Sequence, residues 1–310
     1  MPRIVVNGAS GAIGSLIVEE LMRHVPVADL TLVTRSPAKL VKWAEQGARV
    51  RQGDYCDPAS LQRAYDGGDT LMMISGLNIL KRIPEHRNAI AAAKQAGIGH
   101  IVYTSVSGVH PMNRTPSSSD HIATEAMLWE SGLDFTALRN QAYSELMTPM
   151  AEVALRTGEW RHIGVNGLYS PVSRADIARC AAAILREPER HRRVCYEITG
   201  PELISFQDLA ARFAQMYERP IRYIPVTAEE MWALFDSWGV PRVGNPEATD
   251  PAHMFGSNEL VENYVAWDEL FHAVVSRHVE FITGRKAVPL HDVMLAAKDA
   301  MLAHLAQPLG

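Results

Sequence analysis

Gly8, Gly11 and Gly14 stand three residues apart, directly after the apolar run Ile4-Val5-Val6. An amphipathic stretch from Ile13 to His24 follows. Strand, glycine turn and helix in that order form the corner on which a dinucleotide pyrophosphate rests. Glycine is required because the turn is tight and phosphate must reach bare backbone. The helix N-terminus then offers unpaired N–H groups and a partial positive charge. Gly8, Ser10, Gly11, Ala12, Ile13 and Gly14 are the expected contacts. A corner that is merely Gly-rich would leave the spacing unexplained. Arg35, at the end of the next strand, is the second informative residue. An acid there binds the ribose 2′-hydroxyl of NAD, whereas an arginine accommodates the 2′-phosphate of NADP. Lys39, one helical turn on, adds a second charge. The expected cofactor is NADP(H) in preference to NAD(H); the alternative is a solvated Arg/Lys pair.

Other chemistries lack their residues. No G-x-S-x-G elbow, H-E-x-x-H or C-x-x-C occurs. The twelve histidines are dispersed, so no metal site is expected. Hydride transfer to an ordinary ketone would need a positioned acid, supplied in short-chain dehydrogenases by Tyr with Lys four residues on. None of the nine tyrosines has that lysine: the residues four places on are Ala59, Asp69, Ser107, Met147, Ser173, Gly200, Ile221, Thr227 and Asp268.

The elements that must position these residues alternate. Strands are expected at 29–34, 48–52, 70–74, 100–105 and 134–138, with helices at 84–96 and 120–131 between them. Ser36-Pro37 and Asp57-Pro58 read as helix openings, with the polar residue as cap and proline in the first turn. A helix at 173–185 and a late strand at 193–199 complete the alternation. This specifies an α/β fold with a doubly wound parallel Rossmann sheet. From 201 on, helices dominate (205–217, 227–238 and a long tail), so a smaller, mostly helical lobe is expected over 201–310. Residues 1–200 would form the dinucleotide domain, with 144–172 contributing to the cleft between the two.

The 310 residues are 47% hydrophobic, enough for a sizeable core. The net charge of −5 and the lack of a basic block give no support to a nucleic-acid surface. Cys56, Cys180 and Cys195 are scattered and odd in number, as in a reducing compartment. With no leader-like start and no apolar run of about 18 residues, a soluble cytoplasmic protein without membrane contact is expected.

The G-x-x-G-x-x-G spacing resembles the atypical and extended short-chain dehydrogenases. Thr-Arg-Ser-Pro-Ala-Lys (34–39), Gly-Asp-Tyr-Cys-Asp-Pro-Ala-Ser-Leu (53–61), His-Ile-Ala-Thr-Glu (121–125) and Leu-Arg-Asn-Gln-Ala-Tyr (138–143) carry the resemblance to the NmrA-like family. The similarity is to its quinone-reductase and triphenylmethane-dye-reductase type, over roughly residues 3–240. Thr124 stands where many relatives keep lysine. The resemblance implies that Asp54, with Tyr55, meets the adenine end, though Gly53-Asp54 is equally a plain turn. Ser75, Gly76, Thr104 and Ser105 end the middle strands and complete the expected cofactor set. Ser107, His121, Asn140, Tyr143, Phe235 and Trp238 are the acceptor-site candidates. Trp232, Phe235 and Trp238 at three-residue spacing read first as packing and only second as acceptor contacts. No catalytic acid is assigned, and Tyr143 is the one candidate.

The expected activity is NADPH-dependent reduction of a planar conjugated acceptor, a quinone or a cationic aromatic dye, without a Tyr/Lys pair. A reduced quinone is a phenolate, whose conjugate acid has a pKa of about 10, as for tyrosine. Water can supply that proton late, and a cationic dye needs none. The alternatives are a non-catalytic dinucleotide-sensing regulator and a reductase of aromatic ethers or enones. A homodimer is left open by the sequence.

Overall fold

Seven parallel strands form the central sheet of the computed structural model, which describes residues 2–79, 81–113, 115–245, 248 and 251–307. The chain runs β1 (Ile4–Asn7), α1 (Ala12–Met22), β2 (Leu30–Thr34), α2 (Val41–Ala44), β3 (Arg49–Gln52) and α3 (Pro58–Tyr65). It continues through β4 (Thr70–Met73), α4 (Arg82–Gln95), β5 (His100–Val106), α5 (Pro116–Glu130) and β6 (Asp134–Asn140). After α6 (Met147–Thr157), β7 (Glu159–Ile163), β8 (Leu168–Tyr169) and α7 (Arg174–Arg186), β9 (Val194–Ile198) closes the sheet beside β6. The strand order is β3-β2-β1-β4-β5-β6-β9. It reverses between β1 and β4, and ligands of such sheets bind beyond the strand ends at that point.

β1, β2 and β4 are buried at every residue, as strands covered on both faces must be. Ile17, Val18 and Leu21 of α1 and Ile177, Ala181 and Ile184 of α7 pack one face. Tyr65, Ala89, Ala93 and Leu128 of α3, α4 and α5 pack the other. Each such side chain removed from water contributes about 1.5–3 kcal/mol before chain entropy is counted.

The Asp57 carboxylate caps α3, accepting from the Ser60 amide at 3.1 Å. Ser36 makes no side-chain cap; a 3-10 turn, Pro37–Leu40, precedes the single-turn α2 there. The Ser36 amide instead donates to Thr34 Oγ1 at 3.2 Å, which holds the chain in a turn. α5 begins at Pro116, earlier than the pattern predicts, because Thr115 caps it by accepting from the Ser118 amide at 3.3 Å.

A second core gathers Met147, Trp160, Tyr169, Phe206 and Phe213. It is built from α6, β7, β8, β10 (Ile204–Ser205), α8 (Phe206–Tyr217) and β11 (Arg222–Val226). β7 pairs parallel with β11, and β8 antiparallel with β10. These short strands fall in the part of the chain whose pattern loosens. α9 (Ala228–Ser237) and the helical stretch α10 (Pro251–Asp268), broken at Gly256, enclose a smaller cluster of Ile163, Met231, Phe235 and Val261. α11 (His278–Thr283) returns to the sheet and places Val279 in the core of α1 and α7. α12 (Leu290–Leu305) packs back on the second core through Leu290, Met294, Met301 and Leu305.

Candidate active site

The glycine corner is shaped for an anion. Gly8 has φ of +83°, a left-handed conformation that disfavours side chains. A Cβ on Gly14 would lie 2.1 Å from the Gly8 carbonyl oxygen, so the third glycine lets α1 pack onto β1. A Cβ on Gly11 would meet only that same oxygen, at 3.3 Å, a tight contact but a far milder one than at Gly14. Gly11 starts α1 with no side-chain cap and no acid in the first turn. The first-turn N–H groups of Ala12, Ile13 and Gly14 have no intrahelical partners, as at any helix start. The exposed Ser10 hydroxyl bonds Thr34 Oγ1 at 2.8 Å, which ties the turn to the end of β2. Arg35 and Lys39 are exposed beside it, and neither forms an ion pair with a described residue. The cradle, the open helix end and two free cations fit a dinucleotide carrying an extra phosphate.

Asp54 makes a local turn, its Oδ1 accepting from the Cys56 amide at 2.9 Å. Tyr55 donates its hydroxyl to the Ile74 carbonyl at 2.6 Å, tying the β3 loop to the end of β4. The next two residues are fixed from β5 and α4. The Ser75 amide donates to Thr104 Oγ1 at 2.8 Å, and Thr104 donates to Ser75 Oγ at 3.3 Å. The Gly76 amide donates to His86 Nε2 at 3.3 Å, and the Gly76 carbonyl accepts from Arg82 Nε at 2.6 Å.

A buried polar ring extends from that peptide. His86 accepts at Nε2, so its proton sits on Nδ1, 2.8 Å from Thr124 Oγ1. Thr124 donates onward to the Asp120 carbonyl at 2.7 Å. His121 accepts from Arg82 Nη1 at Nε2 (3.4 Å), which leaves Nδ1–H for the Tyr103 hydroxyl at 2.6 Å. Burial, and then the Arg82 charge, pushes the His86 pKa down to about 3 and that of His121 well below its usual value. Both rings are therefore neutral, with both nitrogens engaged. Thr124 serves as the hydrogen-bond partner that orients His86.

Ser105 and Ser107 turn into a different network. Ser105 Oγ donates to Glu125 Oε1 at 2.7 Å, and Ser107 Oγ to Glu197 Oε2 at 2.8 Å. Arg139 grips Glu125 with Nε and Nη2, at 3.0 and 2.6 Å. Both hydroxyls are buried and committed to protein partners. At the end of β6, both amide atoms of buried Asn140 have no partner among the described residues, nor does the Gln141 carbonyl oxygen. Tyr143 is partly buried beside them, with the Arg174 guanidinium 5.2 Å from its ring centre. Burial raises its pKa, against the pull of Arg174 and Arg82. Phe235 is buried in the smaller cluster of the second lobe, and Trp238 packs edge-on to it at 5.8 Å while 47% exposed. Arg242 lies over Trp232, 5.5 Å from its ring centre.

The sequence reading missed Arg82, His86 and Glu259. Arg82 and His86 extend the stripe Ala89–Ala93 of α4 at helical spacing, so polar residues on a buried helix face were the available signal. Glu259 comes from α10, far along the chain, and no sequence pattern marks it. Among the described residues there is no group of histidine, cysteine or acidic side chains able to hold a metal, and no helix is long and apolar enough to cross a membrane.

Residues 8–188 match the NAD(P)H-binding family model. The chain is 35% identical over 240 residues to quinone oxidoreductase 2 of Escherichia coli, covering 77% of this chain and 82% of that protein. It is 27% identical over 238 residues to an NAD(P)H azoreductase of Xenophilus azovorans, covering 77% and 82%. The crystal structure of the E. coli NADPH-dependent quinone oxidoreductase complexed with NADPH aligns with a TM-score of 0.83 at 30% identity, covering 98% of this chain and 100% of that one. The Citrobacter sp. triphenylmethane reductase complexed with NADP(H) aligns with a TM-score of 0.83 at 28% identity, covering 95% and 99%. The chain thus belongs to the NAD(P)H-binding family, among the NmrA-like oxidoreductases of the quinone-reductase type.

Proposed function

We propose that the protein is an NADPH-dependent reductase of planar conjugated acceptors, quinones foremost, and that it works without a protein acid. One observation carries the reading. At the sheet's C-terminal edge the ring nitrogens of His86 and His121 and the Tyr103 hydroxyl are committed to protein partners, which leaves Tyr143 as the acid to be tested. An enzyme so built suits an acceptor whose reduced form tolerates a negative charge or carries none. NADPH supplies the hydride. Gly8, Gly11 and Gly14 with the α1 N-terminus hold its pyrophosphate, Arg35 and Lys39 its 2′-phosphate, and the Ser75-Gly76 peptides flank its middle. Tyr143 and Asn140 bound the acceptor side. Orienting a flat acceptor against the nicotinamide, with water excluded, is the main contribution such a site makes. The related quinone, dye and azo reductases, with acceptors of this class, support the reading.

The test is NADPH oxidation with a panel of quinones and triarylmethane dyes, followed by the same assay on Tyr143→Phe. Turnover in the wild type and a loss below about tenfold in Tyr143→Phe are expected, since general acid catalysis typically contributes about 10²–10⁴-fold. A thousandfold loss with NADPH binding intact would place the missing acid at Tyr143 and favour an ordinary carbonyl or ene reduction. No turnover with any acceptor, with tight NADPH binding, would favour a dinucleotide sensor.

A further inference from the structure

We infer that Arg82 is a catalytic residue: its guanidinium stabilises the negative charge that builds on a quinone oxygen as the acceptor is reduced. This rests on the reductase reading above. Arg82 is only 7% exposed, yet no carboxylate of the described residues lies within ion-pair distance of it. Buried charges are ordinarily paired, because removal from water is costly. The partners of Arg82 are neutral: the Gly76 carbonyl on Nε and His121 on Nη1. Three of its five N–H groups make no hydrogen bond to a described residue.

Its place in the fold gives this unspent charge a use. Gly76 follows β4 at the switch point, where the cofactor is expected. The Arg82 charge is felt at Tyr143 beyond β6 and at Glu259 on α10, so Arg82 lies where the strand ends meet the second lobe. Glu259 is itself buried, with Oε2 unpartnered among the described residues, and burial raises its pKa. The other cation near Tyr143, Arg174, lies 5.2 Å from its ring centre.

The charge balance calls for such a group. A quinone that takes a hydride gains two electrons and one hydrogen and becomes a hydroquinone monoanion, while NADPH becomes NADP+. One proton from water then completes the hydroquinone. Until it arrives, the oxyanion needs a donor that cannot itself lose a proton, which is the property of a guanidinium. A cationic triarylmethane dye develops no such charge, since hydride addition neutralises it.

The two acceptor classes separate this role from a structural one. Arg82→Met and Arg82→Lys are compared with wild type for NADPH oxidation by 1,4-naphthoquinone and by a cationic triarylmethane dye. In Arg82→Met, kcat/KM for the quinone is expected to fall about ten- to a hundredfold, as for loss of a hydrogen bond to a charged group. The dye rate is expected to hold or rise, and Arg82→Lys to recover part of the quinone rate. NADPH affinity, read by fluorescence, is expected to stay within about threefold. A readout independent of turnover is the ionisation of bound 4-nitrophenol, followed by its absorbance in wild type loaded with NADP+. The Arg82 charge acts on His86, His121, Tyr103, Tyr143 and Glu259, so the titration is repeated in Glu259→Gln. In both proteins the bound phenol is expected to ionise at lower pH than in water. An unshifted nitrophenol in wild type and Glu259→Gln would overturn the inference, even if the Arg82 variants failed to fold. So would an equal loss for quinone and dye, or a collapse of NADPH affinity, either of which would reduce Arg82 to a support for Gly76. If wild type reduces neither acceptor, it is the reductase reading that falls.

Discussion

Gly11 and Gly14 look alike in the sequence and have separate jobs. A Cβ on Gly11 would lie 3.3 Å from the Gly8 carbonyl oxygen, a contact that a small shift relieves, whereas one on Gly14 would lie 2.1 Å from it. Gly11→Val is therefore expected to leave the thermal midpoint within a few degrees and to abolish detectable NADPH binding by calorimetry. Gly14→Ala is expected to lower the midpoint sharply, because α1 must leave β1. The reverse pattern would mean that Gly11 is the packing residue. Arg35 adds a binding test. Arg35→Ala should weaken NADPH about ten- to a hundredfold, as for a charge-assisted hydrogen bond of about 1.5–3 kcal/mol, and leave NADH almost unchanged. Wild-type protein that binds NADH as tightly as NADPH would remove the 2′-phosphate role.

Helix α5 is joined to strands β6 and β9 through charge. Glu125 is 6% exposed in its side chain and Arg139 26%. Arg139 also reaches Glu197 of β9 at 3.5 Å. Breaking a buried pair on one side leaves an uncompensated charge and costs about 3–5 kcal/mol, somewhat less where one partner meets solvent. Arg139→Met is expected to lower stability by about 3 kcal/mol in urea unfolding. The double variant Arg139→Met, Glu125→Leu should regain part of it, since only the half-buried Glu197 is then left without the arginine. A double variant no better than the single one would show that the ions hold the elements in register beyond their own charge balance. The same network takes in Ser105 and Ser107, whose hydroxyls donate to Glu125 and Glu197.

The whole molecule carries an acid limit to its stability. Burial pushes the pKa of His86 and His162 down to about 3, and that of His100 and His272 to about 4. His121 is lowered too. In the unfolded chain these rings titrate at about 6.5. Below that pH the unfolded state binds protons that the fold refuses, so stability is full above about pH 6.5 and drops as pH falls toward 4. Each ring contributes a slope of up to about 1.4 kcal/mol per pH unit in that window. Glu197 and Glu259, raised by burial, act in the opposite direction but are outnumbered. The urea midpoint is expected to fall steadily from pH 7 to pH 4.5, and less steeply in His86→Gln. A flat profile would mean that these rings are charged in the native state.

The sequence by itself determined the parallel sheet, the glycine turn after its first strand and the cation that follows β2. Each of these is local: a β-branched run, a turn that only glycine permits, a cation at the end of the next strand. It also showed that no tyrosine has its lysine partner. It did not show what Thr124 does instead, because the partner, His86, lies 38 residues away and meets it only when α4 and α5 pack side by side. The short strands β7, β8, β10 and β11 were illegible for a related reason: two-to-five-residue segments leave too short a period to read, and long-range pairing fixes them. Arg82 and Glu259 lie far apart in the chain, and only the packed fold lets the charge of one act on the other. Tertiary structure alone decided which polar side chains are buried, and so that Arg82 has no ion-pair partner among the described residues.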